Sequence, residues 1–292
     1  MSSRRQLSRS EVQQFFSTRT ETYNSFISAF RYPHGIRALL QASDLLQPGL
    51  RVLDAGCGSG VVTFAFIEAM TSRRLKYESI HAFDLTPAML SRFQTSLNTR
   101  GINDVQLRQA DVLALDQLPQ SWIEYDLILS APMLEYLPKS ELPRALAELR
   151  KRLSPNGRLL IVITKRSLEA KILIEWWWRS EGYARDELHQ AFAAGGFRDV
   201  TFRRFPDKYF WLNGGSYAIE ARPDPDRWRH PNFSTRSPRA CESHPLRQRY
   251  ISPCNCKRNI AARPHRLEAG RYRAHAQCGP SSETSSIYRQ LE

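Results

Sequence analysis

Val52-Leu53-Asp54-Ala55-Gly56-Cys57-Gly58-Ser59-Gly60 decides the fold of this chain. It is a short apolar strand that runs through an acid into three glycines at every second position. Glycine supplies backbone with φ > 0 and lets a ligand come closer than a Cβ would allow, so the three make a floor without side chains. The apolar segment Val61-Val62-Thr63-Phe64-Ala65-Phe66-Ile67 completes a strand, loop and helix unit. A dinucleotide fingerprint would be spaced G-x-G-x-x-G, with glycine or alanine last; here Val61 and Val62 follow Gly60. An acid two positions before Gly56 suits a ligand that carries an amine, because a carboxylate would repel a pyrophosphate.

Further elements follow in order. Ser79-Ile80-His81-Ala82-Phe83-Asp84 reads as a second buried strand ending in an acid, with Thr86 expected as an N-cap and Pro87 in the first helical turn. A carboxylate at the C-terminal edge of a strand can accept hydrogen bonds from both hydroxyls of a ribose. Val105 to Val112 alternates like a half-buried strand and carries Asp111 at its end. Tyr125 to Ser130 is a fourth strand, and Gly157 to Ile163 a fifth, after a turn over Leu153-Ser154-Pro155-Asn156-Gly157. A helix over Arg185 to Phe197 is stopped by glycine, and Val200 to Phe205 and Ser216 to Ala221 make a terminal hairpin.

From residue 20 to residue 222 this order resembles the class I S-adenosylmethionine-dependent methyltransferases, in their small-molecule branch. The resemblance implies an α/β fold, a Rossmann-like doubly wound and mostly parallel sheet with a C-terminal antiparallel hairpin, and S-adenosyl-L-methionine as cofactor. It places cofactor contacts at Asp54, Gly56, Gly58, Gly60, Asp84, Asp111 and Val112. Asp84 would hold the ribose, and Asp111 with the amide of Val112 would read the adenine. Capping of the next helix is the alternative for all three acids. Cys57 is expected as a small filler turned away from the ligand. The family also implies a helical cover, here led by Phe15 to Tyr23, with Tyr23 near the methionine end; Tyr23, Phe26, Phe30 and Tyr32 could equally be packing residues. His34, in the turn signal Tyr32-Pro33-His34-Gly35, is expected at the surface.

The segment Ser130-Ala131-Pro132-Met133-Leu134-Glu135-Tyr136-Leu137 lacks the Asn or Asp, two prolines and aromatic with which amino-methylating nucleic-acid enzymes hold a flipped base. Glu135 and Tyr136 match the small-molecule branch instead. Glu135 is either a general base or, on the plainer reading, a cap or an exposed residue. Trp176, Trp177 and Trp178 cannot all face one core from a helix, because successive residues are ~100° apart, so at least one should face a pocket, a lid or a partner. The expected reaction is methyl transfer to a small, partly apolar metabolite, with a base needed only for an acceptor of high pKa. The rival readings are a protein or RNA methyltransferase and a cofactor-binding module without catalysis.

The chain has 292 residues, of which 41% are hydrophobic, enough for a sizeable core. No apolar run approaches the ~18 residues of a membrane span, and the start, from Met1 to Ser10, lacks the apolar stretch of a secretory signal. A cytoplasmic protein is expected; an Arg and Ser content shared with mitochondrial presequences is the alternative. Residues 1–19 are expected to be a flexible N-terminus, 20–222 the methyltransferase domain and 223–292 a disordered basic tail. From Pro223 onward thirteen Lys and Arg stand against six Asp and Glu, more than half of the net charge of +13. This segment has no hydrophobic periodicity that could offset its ordering entropy. Nucleic acid is a partner only through that tail. It carries four of the five cysteines, but Cys254-Asn255-Cys256 is not a zinc-ligand spacing, and no metal is expected.

Overall fold

The computed structural model describes residues 9–166 and 182–227, which build one seven-stranded sheet with helices on both faces. The strands are β1 (Arg51–Ala55), β2 (Ser79–Asp84), β3 (Val105–Gln109), β4 (Tyr125–Ser130), β5 (Leu153–Thr164), β6 (Phe197–Arg203) and β7 (Ser216–Pro223), in the spatial order β3-β2-β1-β4-β5-β7-β6. β1 to β5 are parallel, and β7 runs antiparallel to both of its neighbours, β5 and β6. The chain steps outward from β1 to β3 and then returns past β1 to β4. That reversal leaves a crevice at the C-terminal ends of β1 and β4 where neither flanking connection covers the sheet edge.

The central strands are apolar on both faces because both are covered. Val52, Ile80, Leu127, Leu129, Leu160 and Val162 pack on one side. They lie under α2 (Tyr32–Gln41), α3 (Val61–Ser72) and α4 (Pro87–Thr99). Leu53, Phe83, Ile128, Leu159 and Ile161 pack on the other, against α5 (Leu142–Arg150) and α6 (Arg185–Ala194). α3 is sandwiched between the sheet and α2, which is why Val62, Phe64, Phe66, Ala69 and Met70 are buried around most of its circumference. Where α2 meets the turn before β7, a Cβ on Gly35 would lie 2.2 Å from Leu212 Cδ1, so the close approach depends on that glycine.

Several sequence expectations change. Residues 9–19, expected to be flexible, belong to α1 (Arg9–Ala29), where Val12 and the buried Phe16 are four apart and so share a face. Tyr32-Pro33-His34-Gly35 is the first turn of α2, a position where proline loses no helical hydrogen bond. The turn expected before the fifth strand lies inside β5 as an irregularity, with Leu153 opposite Tyr125 and Arg158 opposite Leu127. Glu220, on the interior strand β7, is 5% exposed and paired with Arg158 of β5 at 3.2 Å and Arg203 of β6 at 2.6 Å, which satisfies a carboxylate that would otherwise be costly there. Trp176, Trp177 and Trp178 lie outside the described residues, as does the expected tail beyond residue 227. No described helix is long and apolar enough to cross a membrane.

Candidate functional site

The glycine loop is tied to the neighbouring strand by its own backbone. The amides of Gly56 and Cys57 both donate to the Phe83 carbonyl at 2.9 Å, which holds the end of β1 against the end of β2. Asp84 joins the two loops: its Oδ2 accepts from the Gly58 amide and its Oδ1 from the Thr86 amide, each at 2.8 Å. Thr86 holds the N-cap position of α4 without a side-chain capping bond, and its own amide donates to Asp84. Burial pushes the Asp84 carboxyl up from its ordinary value, and the hydrogen bonds from Thr86 and Gly58 pull it back.

The three glycines have different jobs. Gly56, at φ 71°, leaves no room for a Cβ because Met133 Cγ would be 2.3 Å away. Gly60, at φ 91°, lies under the ring of Phe93, with Cε2 2.2 Å from an added Cβ, and does not line the cavity. Gly58, at φ 52°, has nothing within 4 Å of that position and faces the open crevice. Close packing therefore needs glycine at two of the positions, and access needs it at the third.

Asp54 departs from its expected role as a ligand contact. Strand alternation turns it to the α3 side, where it is 1% exposed and accepts from Thr63 Oγ1 at 2.6 Å, behind the cavity. Its Oδ1 has no partner among the described residues. Burial raises this carboxyl from 3.8 to about 7, against the bonds from Thr63. Below 3.8 the group is protonated in both folded and unfolded chains; between 3.8 and about 7 only the unfolded chain releases its proton, so stability falls as pH rises through that window. Asp54→Asn should therefore gain on the wild type between pH 5 and pH 8, by on the order of 2–4 kcal/mol in urea unfolding. A difference independent of pH would contradict this assignment.

Asp111 and Val112 follow the end of β3 and line the cavity, with Asp111 Oδ1 accepting from the Leu113 amide at 2.8 Å. Ser130 Oγ donates to the Ala55 carbonyl at 2.9 Å and clips the ends of β1 and β4 together at the crevice. The turn that follows brings Pro132, Met133, Tyr136 and Leu137 to the wall. The cavity they enclose measures about 340 Å³, within the range of small-molecule sites. Its cover comes from α1 and the start of α2, through Val12, Phe16, Ile27 and Tyr32. Gln13 Nε2 donates to the Leu85 carbonyl at 2.8 Å, and the edge of Phe16 meets Tyr136 with centroids 4.9 Å apart. Tyr23 lies on α1, but its side chain is outside the described residues.

Glu135 is neither exposed nor on the wall. It is 1% exposed, on the core side of the turn, where Thr164 Oγ1 donates to Oε1 at 2.8 Å and Oε2 has no partner among the described residues. Burial pushes its carboxyl up to about 7. Cys57 packs into the core cluster under α3 and also lines the cavity, and burial raises its thiol well above its ordinary value. Phe16, Tyr32 and Met133 are cavity residues that the sequence reading did not assign to the site. The available signal was the four-residue spacing of Val12 and Phe16, weak in a helix otherwise rich in polar residues.

A family model described as a methyltransferase domain matches residues 52–157. Over 151 residues the chain is 28% identical to the aklanonic acid methyltransferase DauC of Streptomyces sp. (strain C5), a match that covers 51% of this chain and 63% of that one. Over 150 residues it is 31% identical to a ubiquinone biosynthesis O-methyltransferase of Paracidovorax citrulli, covering 50% of this chain and 58% of that one. The chain thus spans less than two thirds of either relative. The magnesium protoporphyrin IX methyltransferase ChlM of Synechocystis PCC 6803, solved with bound S-adenosylhomocysteine, shares the fold at a TM-score of 0.55 and 17% identity, covering 74% of this chain and all of that one.

Proposed function

We propose that this chain, whose residues 52–157 match a methyltransferase domain, is a class I S-adenosylmethionine-dependent methyltransferase that moves a methyl group from S-adenosylmethionine to a small, partly apolar metabolite. The observation that carries this reading is the crevice in which a side-chain-free floor at Gly58, a two-oxygen acceptor at Asp84 and an apolar cover from α1 share one cavity. The residues fit the cofactor. Asp84 would accept from the ribose hydroxyls, Asp111 and the amide of Val112 would read the adenine, and an added Cβ at Gly58 would occupy open cavity space.

The cofactor supplies a methyl group already activated on a sulfonium. Much of what remains for the protein is orientation, which can supply ~7–11 kcal/mol of a barrier when two reactants are held in line. Asp84, bonded to Gly58 and Thr86, fixes the floor against the ribose site. Phe16, Tyr136 and Met133 close the wall around the acceptor and keep water away from the reacting atoms.

Incubation with cofactor labelled on the methyl group and a fractionated small-molecule extract should place label in a low-mass, partly apolar product. Label confined to protein or RNA would overturn the acceptor class. Failure to bind S-adenosylhomocysteine in calorimetry would overturn the cofactor reading.

A further inference from the structure

We propose that Glu135 is a positioning residue: through Thr164 it fixes the turn Met133–Leu137 that forms one wall of the cavity. The proposal rests on the methyltransferase reading above. A side chain that carries two oxygens into the core, one bonded by the Thr164 hydroxyl and the other without a partner among the described residues, costs stability compared with an apolar residue of similar size. The place of that cost is informative. Glu135 sits in the three-residue turn Leu134–Tyr136, between two wall residues. Met133, before it, lies over Gly56, so close that no Cβ fits between them. Tyr136, after it, meets the edge of Phe16 from α1. The turn thus touches both the cofactor floor and the cover.

Its other neighbours hold it by packing. The turn follows β4 without pairing to another strand, and Leu134 beside Glu135 contributes only apolar contact, which has no direction. The bond from Thr164 is directional. Thr164 is the last residue of β5 and is paired with Ser216 of β7, so its hydroxyl is fixed to the sheet. Glu135 therefore ties the turn to the end of β5. A base acting on the acceptor would have to reach the cavity, and Glu135 does not line it.

The test uses the full chain with Glu135→Gln, Glu135→Ala and Thr164→Val, with and without S-adenosylhomocysteine. Glutamine keeps the acceptor atom for Thr164 and should behave as the wild type, with affinity within about twofold. Alanine at 135, and valine at 164, should each weaken S-adenosylhomocysteine about tenfold. They should also speed amide exchange at least tenfold across residues 132–138, while the strands keep their protection. Exchange that rises evenly over the whole sheet would mean general destabilisation and overturn the proposal. So would a turn that stays protected in both Glu135→Ala and Thr164→Val. If Glu135→Gln keeps the protected turn and cofactor affinity but loses labelling of the extract product, Glu135 acts as a base and the proposal fails. Because exchange is read without cofactor as well, a wild type that fails to bind S-adenosylhomocysteine would refute the methyltransferase reading separately.

Discussion

Asp84→Ala should weaken S-adenosylhomocysteine by about 3 kcal/mol, roughly two orders of magnitude in dissociation constant. A hydrogen bond to a charged group contributes about 1.5–3 kcal/mol, and on the proposed role the ribose hydroxyls donate to Asp84. Removing it also frees the Gly58 amide and loosens the loop that the ligand lies on. The measurement is calorimetry on the full chain. NAD should not bind either protein. An Asp84→Ala chain that binds within fivefold of the wild type would remove this residue from the site.

The second large effect separates two glycines in the same loop. Gly60→Ala should lower stability by about 3 kcal/mol: a residue with a Cβ at φ 91° is strained by ~1–2 kcal/mol, and overpacking typically adds ~1–3. The added carbon would lie 2.2 Å from the ring of Phe93, which is 0% exposed and has nowhere to go. For a domain of this size the melting temperature should fall by ~6–12 °C. Gly58→Ala meets no neighbour and should lose only the backbone strain, about 1–2 kcal/mol. Its cost should appear in binding, because the methyl group enters the crevice. Thermal scans with and without S-adenosylhomocysteine distinguish the two, and equal losses of stability with equal ligand shifts would refute the division of roles.

The strands and the glycine loop could be read from the sequence because their causes are local. An apolar run buried on both faces, followed by glycines whose spacing excludes a dinucleotide turn, needs no knowledge of distant residues. That Asp84, Asp111 and Val112 line the cavity follows for the same reason, each standing at or just past the end of a strand. Asp54 was misjudged because its direction depends on strand parity, and the turn to the α3 side becomes visible only when Thr63 is found opposite it. Glu135 was misjudged because burial of a polar residue depends on what lies across from it, here Thr164, 29 residues later. The cover was only half legible. A helix with Gln13, Gln14, Ser17 and Thr18 shows little amphipathic contrast, and its apolar stripe matters only once the crevice is there to receive it.

The placement of β7 bears on how the chain is made. Among the described residues β7 is the last strand in sequence, but it takes an interior place, between β5 and β6. Until the ribosome has delivered residues 216–223, β5 presents an open edge along Leu159, Leu160, Ile161, Val162 and Ile163, five apolar residues in a row. Some sixty residues separate the end of β5 from the end of β7, which is about 3–12 s of synthesis at ~5–20 residues per second. Such an edge is a template for pairing with another chain. Nascent chains stalled in that interval should be the species that draw chaperones or aggregate, and a slow codon placed before residue 216 should lower soluble yield more than one placed after 223.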